Sequence, residues 1–327
     1  MGLARALPAL IAAVVLAGVD AAGKIPHATS LVRGMTSLSR FRRQARPSLL
    51  LAAGLALLTC PSRVNGAPAD KDGGPKLSAE AVLVLDTESG KPLLARNATD
   101  VRSIASLTKL MAALVVMDRG LKLDAGTVIN REDWKVALDG CRTRLELNWT
   151  YSNRDLMRAA LMASDNRAVS ALGRAVGLHA NGLVQAMNER ARRMGLKKTE
   201  FRGPVGIDPG NVSSAWEVAR IVRAASKIGA LAQIMGTKEH RVVPMKGYLK
   251  RWYRNTNPLV GATKGATFLA SKTGYNHKAG YCVATVVKLK GHVYTVVLLG
   301  SKKKYTRVQD LRRTIQWLSA NGSQKRS

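Results

Sequence analysis

A serine and a lysine lie three residues apart in a segment with no other charge. Lys109 is the only charged residue between positions 104 and 117, and Ser106 precedes it. Apolar residues fall on both faces of a helix drawn through this segment, which predicts a helix buried on all sides. Burial lowers the pKa of a lysine, and the neutral amine can accept a proton. Because positions i and i+3 share a helix surface, the pair predicts a serine nucleophile with a lysine base.

Ser-x-x-Lys by itself occurs by chance, and a lysine whose stem is buried while its amine reaches solvent is the competing interpretation. A second polar motif follows at Ser164-Asp165-Asn166, between two helical patterns. Residues two apart do not share a helix face, so Ser164 and Asn166 can meet at one site only if the motif is a turn. The competing interpretation is an ordinary helix N-cap.

A third motif, Lys272-Thr273-Gly274, ends the apolar strand predicted at 266–271. It places a cation and a hydroxyl at a sheet edge, where a peptide can add as a further strand. An ordinary strand end is the alternative. The three motifs together therefore predict a serine enzyme that acts on a peptide-like substrate.

The elements that must position these motifs come from both ends of the chain. A hairpin pattern with its turn at 88–91 predicts strands at 81–85 and 92–96, and β-branched runs predict strands at 266–271, 281–289 and 293–299. An apolar stripe at steps of three and four predicts a C-terminal helix with Val308, Leu311, Ile315 and Leu318 on one face. Between these strands the pattern is helical, at 154–162, 167–176, 181–194 and 214–226, the last opening with a Ser214–Glu217 capping box. The prediction is an antiparallel sheet with an inserted helical lobe.

Composition narrows the class of partner. The chain has 327 residues, 46% hydrophobic and 22% charged, which is typical of a globular protein. Its net charge of +31 predicts an anionic partner. Only 5% of residues are aromatic and no nucleic-acid-binding motif occurs, so nucleic acid is not the predicted partner. Three cysteines (Cys60, Cys141, Cys282) and five histidines show no metal-ligand spacing, and Cys282 is predicted to be a core thiol in a strand.

The first 66 residues are predicted to be a leader with the true start at Met35, because basic residues precede an apolar run and small residues follow it. Residues 67–77 are then a linker, 78–320 the folded domain and 321–327 a basic tail. No later apolar run reaches the roughly 18 residues of a membrane span. We therefore expect an exported, periplasmic protein without a stable transmembrane anchor after cleavage, with peripheral attachment to wall or membrane left open.

In this order, the three motifs resemble the signature of penicillin-binding proteins and class A β-lactamases. Longer segments resemble a D-alanyl-D-alanine endopeptidase, a low-molecular-mass penicillin-binding protein, and the similarity extends over about residues 78–318. These segments are 103–111, 160–168, 194–201, 255–260 and 271–275. The resemblance implies an α+β fold of the β-lactamase/transpeptidase type, with a five-stranded antiparallel sheet flanked by helices and an all-helical lobe.

The resemblance also implies a role for each motif residue. Ser106 attacks the D-Ala carbonyl, Lys109 takes its proton, and Ser164 relays a proton to the leaving amine. Asn166 holds Lys109 and the substrate amide. The substrate-binding strand comprises Lys272 and Thr273, which bind a carboxylate, Gly274, and Tyr275, whose N–H joins that of Ser106 in an oxyanion hole.

The implied substrate is peptidoglycan, the implied covalent inhibitors are β-lactams, and no metal or cofactor is implied. The catalytic set does not separate an endopeptidase from a D-alanyl-D-alanine carboxypeptidase. Two departures from the endopeptidase pattern, Asp165 and Tyr281, leave substrate preference open. A β-lactamase would need a water-directing carboxylate, and Glu200 is the candidate, but its basic neighbours predict an exposed position. A non-catalytic cell-wall-binding protein is the remaining alternative.

Overall fold

A computed structural model describes residues 74–138, 140 and 143–321. The predicted leader with its start at Met35, most of the linker, almost all of the basic tail, Cys60 and Cys141 lie outside these residues. The strands are β1 (Ala81–Asp86), β2 (Pro92–Arg96), β3 (Arg102–Ser103), β4 (Gly126–Val128), β5 (Thr150–Ser152), β6 (Val212–Ser213), β7 (Glu239–Val242), β8 (Arg251–Arg254), β9 (Ala266–Asn276), β10 (Gly280–Leu289) and β11 (His292–Ser301). The helices are α1 (Thr108–Asp118), α2 (Arg131–Val136), α3 (Asn153–Met162), α4 (Asn166–Ala175), α5 (Ala180–Arg193), α6 (Ala215–Ser226), α7 (Gly229–Met235) and α8 (Lys304–Asn321).

The central sheet joins both ends of the chain, as the sequence predicts. Its five strands follow the order β2-β1-β11-β10-β9, and every neighbouring pair is antiparallel. β9 lies at one edge, so the predicted edge position of the third motif is confirmed. The predicted strand end is wrong, because β9 continues to Asn276 and Lys272 pairs with Ala284 of β10.

Two apolar clusters cover the two faces of this sheet. Leu83 of β1 and Val297 of β11 belong to the larger cluster, which contains α1 and the helices of the lobe. Val82 and Val84 belong to the second cluster, under α8. Because both faces are buried, successive residues of the central strands are apolar. The predicted stripe of α8 is confirmed, since Leu311, Ile315 and Leu318 are buried and Val308 packs beside them.

The inserted lobe consists mainly of helices, and the four predicted helices correspond to α3, α4, α5 and α6 within a few residues. Ser214 caps α6 by accepting a hydrogen bond from the Glu217 N–H at 3.3 Å. The reciprocal half of the predicted capping box is missing, because the Glu217 carboxylate accepts hydrogen bonds from the Lys198 N–H and the Thr199 hydroxyl. Groups distant in sequence have thus replaced the Ser214 N–H as the donors to this carboxylate.

Cys282 is a free, buried thiol in β10, where burial raises its pKa to about 11. Within 74–138, 140 and 143–321, no helix is both long and apolar enough to cross a membrane.

Candidate active site

The segment with Ser106 and Lys109 is not one continuous helix. Ala105–Leu107 forms a single 3-10 turn, and α1 begins only at Thr108. Ala105 has a φ of +46°, in the left-handed region that a non-glycine residue seldom occupies. The predicted helix is therefore wrong at its first turn. This turn presents Ser106 to an open cleft instead of to the core that surrounds α1.

Lys109 lies directly behind the serine and is 1% exposed. Its Nζ is 3.0 Å from the Ser106 Oγ and 2.6 Å from the Val205 carbonyl oxygen. The interpretation of Lys109 as a lysine that reaches solvent is thus wrong. A buried amine in contact with a serine hydroxyl can withdraw its proton, since desolvation disfavours the charged ammonium.

The second motif is a turn and also a helix cap. Ser164 has a φ of +65° and joins α3 to α4. Asp165 caps α4 by accepting the Ala168 N–H at 3.3 Å, and it accepts the Thr143 hydroxyl at 2.8 Å. Burial raises the pKa of this carboxyl. Asn166, the first residue of α4, is buried and lines the same cleft as Ser106.

Lys272 connects the third motif to the second. This side chain is fully buried in β9, with its Nζ 3.0 Å from the Ser164 Oγ and 2.8 Å from the Thr273 carbonyl oxygen. The Thr273 hydroxyl donates a hydrogen bond to the Thr256 hydroxyl at 2.7 Å. The sheet and the helical lobe therefore meet through hydroxyls and an ammonium at this point.

Two glycines allow the backbone to close around the serine turn. A Cβ at Gly274 would lie 2.9 Å from the Ile104 carbonyl oxygen and 3.1 Å from the Ser106 nitrogen. A Cβ at Gly206, which has a φ of +85°, would lie 2.1 Å from the Ala105 carbonyl oxygen. Sequence reasoning included Gly274 and missed Gly206, although a glycine in the Gly203-Pro-Val-Gly206 loop was a signal for close backbone approach.

The cleft in front of these residues has a volume of about 510 Å³. Its walls include Ser106, Asn166, Gly206 and Tyr275. The cleft is thus wide enough for a peptide beside the edge strand, and it is bordered by residues of the first two motifs and by Tyr275, which follows the third motif in β9.

A second residue that the sequence did not reveal is Arg307 of α8. It is buried, and burial lowers the pKa of its guanidinium. The guanidinium lies 5.7 Å from the centre of the Tyr281 ring, which in turn stacks on Tyr275 at 4.2 Å. Tyr281 therefore supports a residue of the cleft wall.

Glu200 lies elsewhere. Its side chain is 56% exposed and paired with Arg202, and it borders a separate groove beside Lys197 and Lys198. The expectation that Glu200 is exposed is confirmed. In the described part of the chain, no group of three or more His, Cys, Asp or Glu side chains is arranged to hold a metal ion.

Comparison with known proteins agrees with this geometry. The model of peptidase family S11, described as D-alanyl-D-alanine carboxypeptidase, matches residues 68–302. A D-alanyl-D-alanine endopeptidase of Pseudomonas aeruginosa is 33% identical over 264 residues, which cover 80% of this chain and 84% of that protein. One of Escherichia coli is 29% identical over 269 residues, covering 82% and 86%. The crystal structure of the Streptomyces K15 DD-transpeptidase has a TM-score of 0.70 and 25% identity, covering 76% of this chain and 99% of that one.

Gly206→Ala tests whether the serine turn depends on close backbone contact. The new methyl group would collide with the Ala105 carbonyl, so we expect acylation of the variant by a fluorescent penicillin to fall by about tenfold or more. Gly291→Ala is the matched control, because Gly291 has a φ of +86° with nothing within 4 Å of its Cβ position. Equal acylation rates in both variants, measured beside their melting temperatures, would contradict the role of the contact.

Proposed function

The chain belongs to the D-alanyl-D-alanine carboxypeptidase family of serine peptidases, and we propose on this basis that it hydrolyses the D-alanyl–diaminopimelate cross-link of peptidoglycan. The observation that carries the proposal is the contact of 3.0 Å between the buried Lys109 Nζ and the Ser106 Oγ at the cleft. Preference for the cross-link is supported by the two relatives that are named endopeptidases.

In the acylation step, the Ser106 Oγ attacks the carbonyl carbon of D-Ala while Lys109 accepts the hydroxyl proton. The Val205 carbonyl accepts an N–H of Lys109 at 2.6 Å, which fixes the amine against the serine. A positioned base of this kind contributes about 10²- to 10⁴-fold to the rate. The Ser106 and Tyr275 N–H groups stabilise the oxyanion that forms, since Gly274 allows β9 to approach the serine.

Departure of the amine then requires a proton. The Ser164 Oγ, which is hydrogen-bonded to the Lys272 Nζ at 3.0 Å, relays to the diaminopimelate nitrogen the proton that Lys109 accepted from Ser106, and Lys109 becomes neutral again. The C–N bond breaks and the D-alanyl ester remains on Ser106. Water, deprotonated by Lys109, attacks this ester, releases the D-Ala carboxylate and restores the serine hydroxyl.

Recognition of the leaving half depends on a carboxylate next to the scissile nitrogen. Lys272 supplies positive charge to this carboxylate, and Thr273 supplies a hydroxyl. The buried Arg307 adds positive charge next to β9, because its guanidinium lies 3.5 Å from the Gly274 carbonyl oxygen. Asn166 holds the substrate amide from the opposite wall. The α-carboxylate of diaminopimelate and that of a terminal D-Ala can occupy the same place, so carboxypeptidase activity is the second candidate.

The other two alternatives are disfavoured by particular side chains. A β-lactamase needs a carboxylate over the acyl-enzyme, and Glu200 is exposed and paired with Arg202. A non-catalytic wall-binding protein would have no use for a buried amine held against a serine. The proposed location is the periplasm, in contact with peptidoglycan and open to covalent inhibition by β-lactams.

Defined muropeptides test the reaction. We expect the protein to convert a cross-linked dimer to monomers with a higher kcat/KM than that for release of D-Ala from a pentapeptide monomer. Ser106→Ala should abolish both reactions, as measured by chromatography of the products. Faster release of the terminal D-Ala would assign the chain as a carboxypeptidase, and cleavage of neither substrate would refute the proposal.

Replacement of Lys109 tests the base. Lys109→Ala and Lys109→Arg should each lower the rate of penicillin acylation at Ser106 by about 10²-fold or more, because neither side chain accepts a proton near neutral pH. The adduct is located by mass spectrometry. A near-normal acylation rate in the arginine variant would show that Lys109 is not the base. An adduct on another residue would show that Ser106 is not the nucleophile.

Glu200→Ala separates the peptidase from a β-lactamase. We expect the penicilloyl-enzyme of this variant to decay within about twofold of the wild-type rate, because an exposed carboxylate far from the ester contributes little. Glu132→Ala, another carboxylate outside the cleft, is the control. If the wild type hydrolysed penicillin rapidly and only the Glu200 variant trapped the ester, the peptidase assignment would be wrong.

A further inference from the structure

The hairpin of β7 and β8 has one face that no other element covers. In its register, Arg241 lies opposite Trp252 and Glu239 lies opposite Arg254, and all four side chains are exposed. The alternate residues point inward, where Val242 and Tyr253 are buried. Because strand side chains alternate between faces, Arg241 and Trp252 belong to a single outward surface.

Large apolar side chains concentrate on this hairpin. Ten are exposed among the described residues, and four of them fall between positions 243 and 252. They are Val243, Met245 (61% exposed), Tyr248 (80%) and Trp252 (55%). Isolated exposed apolar residues are normal, but a local concentration of this kind is typical of a binding surface.

The loop that carries these side chains is held in place by its neighbours. The Met245 N–H donates to the Thr150 carbonyl at 2.7 Å, and the Tyr248 ring lies 5.0 Å from the Trp149 ring. Gly247 has a φ of +132°, and a Cβ there would lie 2.5 Å from the Trp149 ring. The exposed rings are therefore presented by ordered backbone, which lowers the entropic cost of using them for binding.

Cations surround the apolar side chains. Arg241, Lys246 and Lys250 are exposed, and no ion pair involves them among residues 74–138, 140 and 143–321. The nearby Arg254 and Arg251 are paired with glutamates. The surface therefore combines aromatic rings with unneutralised positive charge, which suits an anionic partner.

Hydrogen bonds and the chain itself connect this surface to the second and third motifs. The Arg144 guanidinium donates to the Trp252 carbonyl at 2.6 Å, and the Arg144 N–H donates to the Asp165 carboxylate of the second motif at 3.2 Å. β8 leads directly to Thr256, which binds Thr273. The four residue-to-residue steps from Trp252 to Thr256 can span at most about 14 Å.

We propose that this surface, the hairpin platform (Arg241, Val243, Met245, Lys246, Tyr248, Lys250 and Trp252), binds the glycan strand of peptidoglycan. The inference rests on the proposed function. A stem peptide of about four residues also spans about 14 Å, so a peptide that lies along β9 beside Thr273 can carry its sugar as far as the platform. The apolar C–H faces of the sugars pack on Tyr248 and Trp252, and the cations meet the carboxylates of neighbouring stem peptides.

Such a platform contributes binding energy through contacts with a part of the substrate that does not react. A bilayer surface would also accept aromatic and basic side chains, but it gives no reason for the hydrogen bonds through Arg144 and Thr256 to the second and third motifs. The platform therefore assigns the enzyme a polymeric substrate in which the sugars are recognised together with the peptide.

The double variant Tyr248→Ala/Trp252→Ala tests the platform. We expect its kcat/KM to fall about tenfold on a cross-linked muropeptide that retains its glycan, since two aromatic contacts are lost. Cleavage of the same cross-linked peptide without sugars, and acylation by penicillin, should stay at the wild-type level. Trp134→Ala/Tyr305→Ala, which removes two exposed rings outside the platform, is the control and should leave both substrates unaffected.

A second experiment tests the positive charge of the platform. It measures binding of the protein to purified peptidoglycan, with the inactive Ser106→Ala variant as the parent protein. Lys246→Gln/Lys250→Gln should weaken this binding at low salt more than Lys264→Gln/Lys288→Gln, which removes two exposed lysines elsewhere. If both double variants lost the same amount of binding, the effect would come from net charge alone, and the assignment of the platform would be overturned.

The other outcomes are also decisive. Equal losses on glycan-bearing and sugar-free substrates would show that the hairpin only supports the cleft, and no loss on either would exclude the platform. Loss of binding to vesicles of anionic phospholipid, with cleavage of the glycan-bearing substrate unchanged, would identify a membrane surface as the partner. A wild type that cleaves neither substrate would refute the proposed function itself, which separates that failure from failure of the platform.

Discussion

Close backbone packing around the 3-10 turn of Ser106 is the constraint on which the site depends. Gly206 and Gly274 press on this turn from two sides, at distances that leave no space for a methyl group. Ala105 keeps a left-handed φ of +46° within it, a conformation that costs about 1–3 kcal/mol and persists only where the surroundings enforce it. The edge strand β9, the 203–206 loop and the start of α1 therefore determine together where the serine hydroxyl lies.

Two buried lysines extend this constraint across the boundary between the sheet and the lobe. Each contacts one serine hydroxyl and one carbonyl oxygen: Lys109 contacts Ser106 and Val205, and Lys272 contacts Ser164 and Thr273. Removal of an ammonium from water costs several kcal/mol unless other contacts compensate. Burying two lysines lowers the stability of the folded protein. Their arrangement is therefore explained by the chemistry of the reaction and not by a contribution to folding.

The active-site cleft is only one part of the surface formed by the lobe and the sheet. From Thr256, beside the third motif, the chain leads back through β8 to a hairpin whose buried face packs on α3 and whose other face is open to solvent. The same short segment thus contributes Thr256 to the interior of the site and Trp252 to its exterior. A substrate larger than the cleft can meet both, because the strand fixes the distance between them.

Much of the fold follows from the sequence by itself. A hairpin pattern and β-branched runs predicted the central strands, and helical periodicity predicted α8 and the helices of the lobe, because these patterns record which residues are buried. The residues of all three motifs were identifiable as well, because the motifs occur together in the order that resembles the penicillin-binding signature, although each motif alone has an ordinary alternative. The edge position of Lys272 was predicted from its place after an apolar strand.

Contacts between residues distant in sequence were decided only by the tertiary structure. The 3-10 turn at Ala105–Leu107 interrupts a helical pattern because Gly206 and Gly274 pack on it, and the Glu217 carboxylate leaves its cap for Lys198 and Thr199. Arg307 and Thr256 join the site through α8 and the segment after β8. Thr256 falls within the resembling segment 255–260, but no periodicity predicts its contact with Thr273. Periodicity reports burial along one element, whereas backbone approach and hydrogen bonding across elements depend on where the whole chain brings those elements together.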